Sequence, residues 1–154
     1  CLYLVPIFKE VIFFRFDMPN KLKISSASLV AKARKEIMEI DAKKAIGMVG
    51  LDDVVIVDIR DFRERQRTGY IRDSFHCPRG MAEFWVDPES PYFKPVFDGK
   101  KTFLFYCASG WRSALTVATL QKMGIEKIAH VTGGFSSWIE AGGEIIQFEE
   151  KNGK

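Results

Sequence analysis

Four consecutive β-branched residues, Val54-Val55-Ile56-Val57, ending at Asp58, constrain what this chain can fold into more than any other feature. A run that is apolar on both faces is what a strand inside a parallel sheet requires, because helices cover both surfaces of such sheets. A second run, Phe103-Leu104-Phe105-Tyr106, ends at Cys107, and Lys127 to Val131 forms a weaker third. Between these two, Leu115, Ala118, Leu120 and Met123 stand at helical spacing within Ser113 to Met123, and Gly124 stops the pattern. Strands alternating with helices predict an α/β fold built on a parallel sheet. Ligand sites in such sheets lie beyond the carboxyl ends of the strands, so Asp58 and Cys107 are expected on one rim.

Upstream, Leu29, Ala33 and Ile37 predict a helix beginning near Ser28, with Ser25, Ser26 and Ser28 as candidate N-caps. Asp41 is expected to cap a short helix over residues 42–48, ended by Gly47 or Gly50, and residues 37–40 read as a short edge strand. A length of 154 residues fits one domain. Its expected bounds are 25–150, with residues 1–24 an N-terminal extension and 151–154 a tail. The first sixteen residues are apolar-rich, but Lys9, Glu10 and Arg15 interrupt them, so no bilayer-spanning stretch is expected there. Met18 is the expected natural start; the alternative is that Cys1 bears a lipid. Residues 78–100 contain four prolines and two aromatic pairs and are expected to form a lid or pocket wall.

The stretch Cys107-Ala108-Ser109-Gly110-Trp111-Arg112-Ser113 follows a buried strand and opens a helix. Backbone N–H groups at such a junction converge into an anion-binding nest, with Cys107 expected at its centre. A helix N-terminus or a neighbouring arginine favours the thiolate, the nucleophilic form of cysteine. Gly110 permits the tight turn, and Ala108 adds little bulk. Arg112 offers a planar donor fork for loop carbonyls or an oxyanion, and Ser113 is expected to act as helix N-cap and donor. A lone cysteine at a strand end is more often plain core. The order strand, Cys, Gly, Arg, Ser, helix moves the reading toward chemistry.

This loop, C-A-S-G-W-R-S, resembles the rhodanese family, whose active loop reads Cys-x-x-Gly-x-Arg-Ser. A second family signature, an aliphatic strand ending in Asp-x-Arg and followed by a Gly-[His or Arg]-Ile turn, is matched by Val57-Asp58-Ile59-Arg60 and Gly69-Tyr70-Ile71. The third, Gly-Gly-x-x-x-Trp, is matched by Gly133-Gly134-Phe135-Ser136-Ser137-Trp138, so that the three together span about residues 38 to 143. The resemblance implies a five-stranded, mainly parallel sheet flanked by helices in a single domain. It also implies a sulfurtransferase whose Cys107 takes sulfane sulfur from thiosulfate or a persulfide and passes it to a thiol or cyanide, with no metal or organic cofactor. Three positions depart from the pattern: Tyr70 replaces His or Arg, the Glu64 to Gly69 interval is one residue longer, and Asp73-Ser74 replaces Gly-Ala. These bear on donor preference more than on the loop chemistry.

Among other residues, Asp58 reads as a supporting group that orients a loop or accepts from Arg60. Arg60, Arg63, Arg65, Arg67, Arg72 and Arg79 form a basic stretch that either steers anionic donors or makes a solvated helix face, and Arg79 is the one placed beside the pocket. Phe84, Trp85 and Trp111 are pocket candidates whose default role is packing. Cys77 is either a resolving thiol for Cys107 or a buried hydrophobe. His76 and His130 share no metal-ligand spacing. Three scattered cysteines fit a reducing cytoplasm, and 23 basic against 20 acidic residues demand neither nucleic acid nor a membrane surface as partner. Competing functions are a non-catalytic binding, sulfur-carrier or redox-sensing module and, by analogy, a phosphatase or arsenate reductase. The last two use five residues between Cys and Arg, against the four between Cys107 and Arg112.

Overall fold

The computed structural model describes residues 21–149 in full and, upstream, the strand backbones at residues 3–7 and 10–14. Those two segments, β1 (Tyr3–Ile7) and β2 (Glu10–Phe14), pair antiparallel, so the expected extension contains a hairpin. Cys1, Met18 and the tail from 151 lie outside the described residues. From there the chain runs through α1 (Ser26–Glu36), β3 (Met38–Ile40), α2 (Ala42–Ile46), β4 (Val54–Asp58), α3 (Phe62–Thr68), β5 (Tyr70–Ile71) and β6 (Phe75–His76). It continues with α4 (Ala82–Val86), β7 (Thr102–Tyr106), α5 (Trp111–Lys122), β8 (Ile128–Val131), α6 (Gly134–Glu140) and β9 (Ile145–Ile146). Among the described residues no helix is long and apolar enough to cross a membrane.

Five strands form the central sheet in the order β3-β8-β7-β4-β6, and every neighbouring pair is parallel. The apolar runs at 54–57 and 103–106 are two of its three inner strands, in register Val54↔Thr102 through Asp58↔Tyr106. Alternate residues of β7 serve opposite faces. Phe103, Phe105 and Cys107 join Val86, Val117 and Leu120 on the α4–α5 side, whereas Leu104 and Tyr106 pack with Ala45, Phe135 and Trp138 on the α2–α6 side. Each fully buried large apolar side chain contributes ~1.5–3 kcal/mol. That two-sided burial explains why neither β4 nor β7 alternates apolar with polar residues.

Two helix caps fall on residues that the sequence marks as candidates. Ser25 accepts from the Ser28 N–H at 3.0 Å and Asp41 from the Lys44 N–H at 2.9 Å. α1 buries chiefly Ala33, which packs on Ala114 and Ala118 of α5; small residues here let the two helices approach closely. Leu29, predicted on the buried face, is 46% exposed. α5 begins earlier than expected, at Trp111, with left-handed Gly110 (φ 91°) as its N-cap. Ser113 is therefore not the cap but a buried residue of the first turn.

Residues 78–100 do not form a lid. Trp85 and Phe97 stack around Phe75, Phe103 and Phe105, closing the apolar edge of the sheet. Four prolines limit helix here; of the two aromatic pairs, Trp85 and Phe93 pack against the core while Tyr92 is exposed. Phe84 stays exposed.

Candidate active site

Cys107 ends the middle strand of the sheet, so its loop emerges at the centre of the carboxyl rim. The loop curls around its own sulfur. The Gly110 N–H donates to Cys107 Sγ at 3.1 Å and the Ser113 N–H at 3.4 Å, while Ser113 Oγ lies 3.4 Å from the same sulfur. Two loop N–H groups thus converge on the cysteine sulfur. Cys107 is 0% exposed, so a reagent reaches the sulfur only when the groups covering it move.

The nest is held from below by the Gly133-Gly134 turn. The Phe135 N–H donates to the Cys107 carbonyl at 2.8 Å and the Ser136 N–H to the Ala108 carbonyl at 3.1 Å. Both glycines have positive φ, and a Cβ on Gly134 would stand 2.4 Å from the Cys107 carbonyl oxygen. The glycine pair is thus the docking surface of the cysteine loop. Trp138, the last residue of the same signature, is buried and donates its indole N–H to the Glu144 carbonyl at 3.0 Å.

Arg112 does not turn to loop carbonyls. Its two terminal nitrogens meet Glu64 of α3 in a bidentate pair at 2.7 and 2.8 Å. Such forks fix geometry as well as charge. The Arg112 hydrogen bonds are the main reason the Glu64 carboxyl is held down at about 2, against the opposing effect of burial. Glu64 also completes a capping box, accepting from the Asp61 N–H at 3.0 Å. One carboxylate therefore starts α3 and anchors the active-loop arginine. The Asp61-x-x-Glu64 spacing was the sequence signal for the first role; nothing local signals the second.

Asp58 and Arg60 are structural partners. Arg60 grips the Asp58 carboxylate through Nε at 3.0 Å and Nη2 at 2.8 Å, and the same Nη2 donates to the Gly69 carbonyl at 2.8 Å. Tyr106 donates its hydroxyl to Asp58 at 2.7 Å, and Arg65 Nε lies 3.1 Å from Asp58 Oδ2 without hydrogen-bond alignment. The Arg60 guanidinium lies 4.0 Å from the Phe135 ring centre. This network ties the end of β4 to the Gly69-Tyr70-Ile71 turn. Arg60 and Arg65 are buried, so they are not part of a steering face or a solvated one. Asp73, at the departure from Gly-Ala, adopts φ 58°, a left-handed conformation that Asp tolerates better than most residues.

Arg79 reaches α5 rather than the loop's cavity, donating to Thr116 Oγ1 at 2.7 Å, and Thr116 in turn donates to the Arg112 carbonyl at 2.8 Å. Cys77 shares the core cluster of Cys107, and burial, followed by the charge of Glu83, pushes its thiol up to about 12. A cavity of about 180 Å³ opens beside the loop, lined by Arg34, Glu39, Ser109, Gly110, Trp111 and His130, among others. Trp111, 68% exposed, also borders an apolar groove of about 450 Å³ between α1 and α5.

His130 was passed over in the sequence because it lacks a motif partner. In the structure its Nδ1 lies 2.9 Å from Ser113 Oγ and its Nε2 lies 2.8 Å from Glu39, which Arg34 meets at 2.9 Å. These residues come together only through the pairing of β3 with β8 and the return of α5 over the sheet.

The family model of the Rhodanese-like domain matches residues 41–141. A protein of unknown function from Rhodopseudomonas palustris, described as a possible tyrosine phosphatase, is 48% identical with a TM-score of 0.81, over 84% of this chain and 99% of that one. The thiosulfate sulfurtransferase GlpE of Glaesserella parasuis is 29% identical over 67% of this chain and 87% of its own length. An uncharacterized Synechocystis protein is 33% identical over 59% of this chain, which spans 46% of that protein's length.

Proposed function

This chain belongs to the rhodanese-like domain family, and from that premise we propose that it is a sulfurtransferase carrying sulfane sulfur as a persulfide on Cys107. The observation that carries the reading is the convergence of the Gly110 and Ser113 N–H groups on one sulfur atom. Donors aimed at a sulfur that bears charge stabilise a thiolate and, one atom further out, the terminal sulfur of a persulfide anion. In the first half-reaction the Cys107 thiolate attacks the outer sulfur of thiosulfate. A new S–S bond forms, the S–S bond of thiosulfate breaks, and sulfite leaves with the electron pair. In the second, a thiolate or cyanide attacks the outer sulfur of the persulfide and Cys107 departs as thiolate, so the two steps balance without a redox partner. Arg112, fixed by Glu64, supplies positive charge at the edge of the loop. The loop residues Ala108, Ser109 and Trp111 shape the approach, while Asp58, Arg60 and Arg79 support it from behind.

The relatives named thiosulfate sulfurtransferase support this reading. The four-residue interval between Cys107 and Arg112 speaks against tetrahedral phosphate, for which related loops use five. Complete burial of Cys107 favours a second reading, a binding or redox-sensing module without turnover. The test is the intact mass after incubation with thiosulfate or a glutathione persulfide, beside Cys107→Ala, followed by cyanide and assay of thiocyanate. Gain of one sulfur on the wild type alone, discharged by cyanide, supports the transferase. No gain from either donor refutes it, and hydrolysis of p-nitrophenyl phosphate in its place would establish a phosphatase.

A further inference from the structure

We propose that Ser113, His130 and Glu39 form a proton relay in which His130 accepts the Cys107 thiol proton through the Ser113 hydroxyl. The inference rests on Cys107 as the nucleophile and is independent of which sulfur donor it meets.

The hydrogen-bond directions follow from the donor inventory. Burial acts to raise the Glu39 carboxyl, but hydrogen bonds from Arg34 and His130 outweigh it and hold the group below its ordinary range. Glu39 is therefore a carboxylate, which only accepts, so His130 Nε2 donates across the 2.8 Å contact. Burial lowers the imidazole's proton affinity, with Glu39 only partly restoring it, so His130 rests neutral with its single proton on Nε2. Nδ1 is then a bare acceptor, and the Ser113 hydroxyl 2.9 Å away supplies the proton it faces. With that hydroxyl hydrogen committed to Nδ1, the Ser113 lone pairs face Cys107 Sγ at 3.4 Å and accept from the thiol. The chain is polarised in one direction, from S–H to O–H to nitrogen.

One shift along this chain breaks the S–H bond, forms a new O–H bond on Ser113, breaks the original O–H bond and forms N–H at Nδ1. It leaves a thiolate and an imidazolium, with no change in total charge. The Ser113 hydroxyl then donates to the thiolate beside the Gly110 and Ser113 N–H groups. Among the described residues, the charged groups facing the imidazole are Glu39 from β3 and Arg34 from α1, with the Cys107 thiol reached through Ser113. Glu39 favours the imidazolium and Arg34 opposes it. Arg34 is the more exposed partner of the Arg34–Glu39 ion pair, at 48% against 26%, which limits its opposition through solvent screening. Proton acceptors whose resting form is neutral at working pH are suited to this task.

Two measurements test the relay. In the ¹⁵N NMR spectrum of histidine-labelled wild type at neutral pH, His130 should show a protonated Nε2 and a bare Nδ1; the opposite tautomer overturns the proposal. The pH profile of Cys107 alkylation by iodoacetamide, taken as the difference from Cys107→Ala in each background, should level off near neutrality in the wild type, where the relayed ion pair supplies thiolate independently of pH, and fall steadily with pH in His130→Asn. Asparagine keeps a hydrogen-bond acceptor near the Nδ1 position but takes no proton, so a merely positioning role predicts the same profile in both, and that result overturns the relay. Glu39→Gln preserves shape and should lower the level stretch; it decides the question if His130→Asn does not fold. Sulfur loading is read separately: lost loading with the profile difference intact defeats the transferase alone, and intact loading with an unchanged profile defeats the relay alone.

Discussion

Substituting Gly134 by alanine tests the idea that the Gly-Gly turn is built to receive the cysteine loop. At φ 60°, an alanine pays left-handed strain of roughly 1–2 kcal/mol. Its Cβ would also stand 2.4 Å from the Cys107 carbonyl oxygen and 2.9 Å from both the carbonyl carbon and oxygen of Ala108, all rigid backbone atoms. Restoring ordinary contact requires the start of α6 to retreat by about 1 Å. The same retreat stretches the Phe135–Cys107 and Ser136–Ala108 hydrogen bonds, now 2.8 and 3.1 Å, beyond useful length. At about 0.5–1.5 kcal/mol for each bond lost, the total becomes roughly 2–5 kcal/mol. That is a large share of the ~5–15 kcal/mol that holds a typical domain together. Gly142→Ala is the control, because Gly142 has φ 79° and nothing within 4 Å of a built Cβ, so it carries the strain without the clash. Urea unfolding should show Gly134→Ala the less stable of the two by roughly 1–3 kcal/mol, and sulfur loading at Cys107 should fall in Gly134→Ala alone. Equal stability and equal loading in the two variants would refute the docking argument.

Removing the Asp58 carboxylate with Asp58→Ala strands Arg60 and Arg65 without their buried counter-charge, and urea denaturation should show a loss of about 3–5 kcal/mol; a loss below about 1 kcal/mol would show that the network is not cohesive. Arg112 holds the Glu64 carboxyl at about 2 instead of its ordinary 4.5, so the pair stabilises the fold fully above the ordinary value and is lost as pH falls through about 2. The stability gap between wild type and Glu64→Gln, followed by denaturation across pH, should accordingly be constant near neutrality and close only on acidification; a gap that closes on alkalinisation contradicts this. Cys77, with its thiol pushed up to about 12, should remain unmodified by iodoacetamide at mildly alkaline pH until the protein is unfolded, as read by peptide mass mapping. Prompt native-state labelling of Cys77 would show that its burial is not maintained.

The apolar runs at 54–57 and 103–106, the capping residues Ser25 and Asp41 and the Cys107 loop were legible in the chain, because each is set by neighbours in sequence: periodicity, cap chemistry, turn requirements. Local patterns also located Gly133 and Gly134, although why Gly134 must be glycine became clear only where it meets the Cys107 carbonyl. What residues 78–100 cover is not set by local pattern, since a proline-rich excursion with aromatic pairs looks alike whether it covers a pocket or a core edge. The residues that join this loop from distant parts of the chain were not legible. Glu39 and His130 are 91 positions apart, and Glu64 and Arg112 are 48 apart. No spacing rule links such residues, because a parallel sheet joins its strands through long crossovers. Strand order decides which side chains meet at the rim, and helix placement over the sheet decides how far apart they stand. The chain itself specified a cysteine at a strand end and a loop that wraps it; only the packed sheet decided that His130, Glu39 and Glu64 stand around that loop.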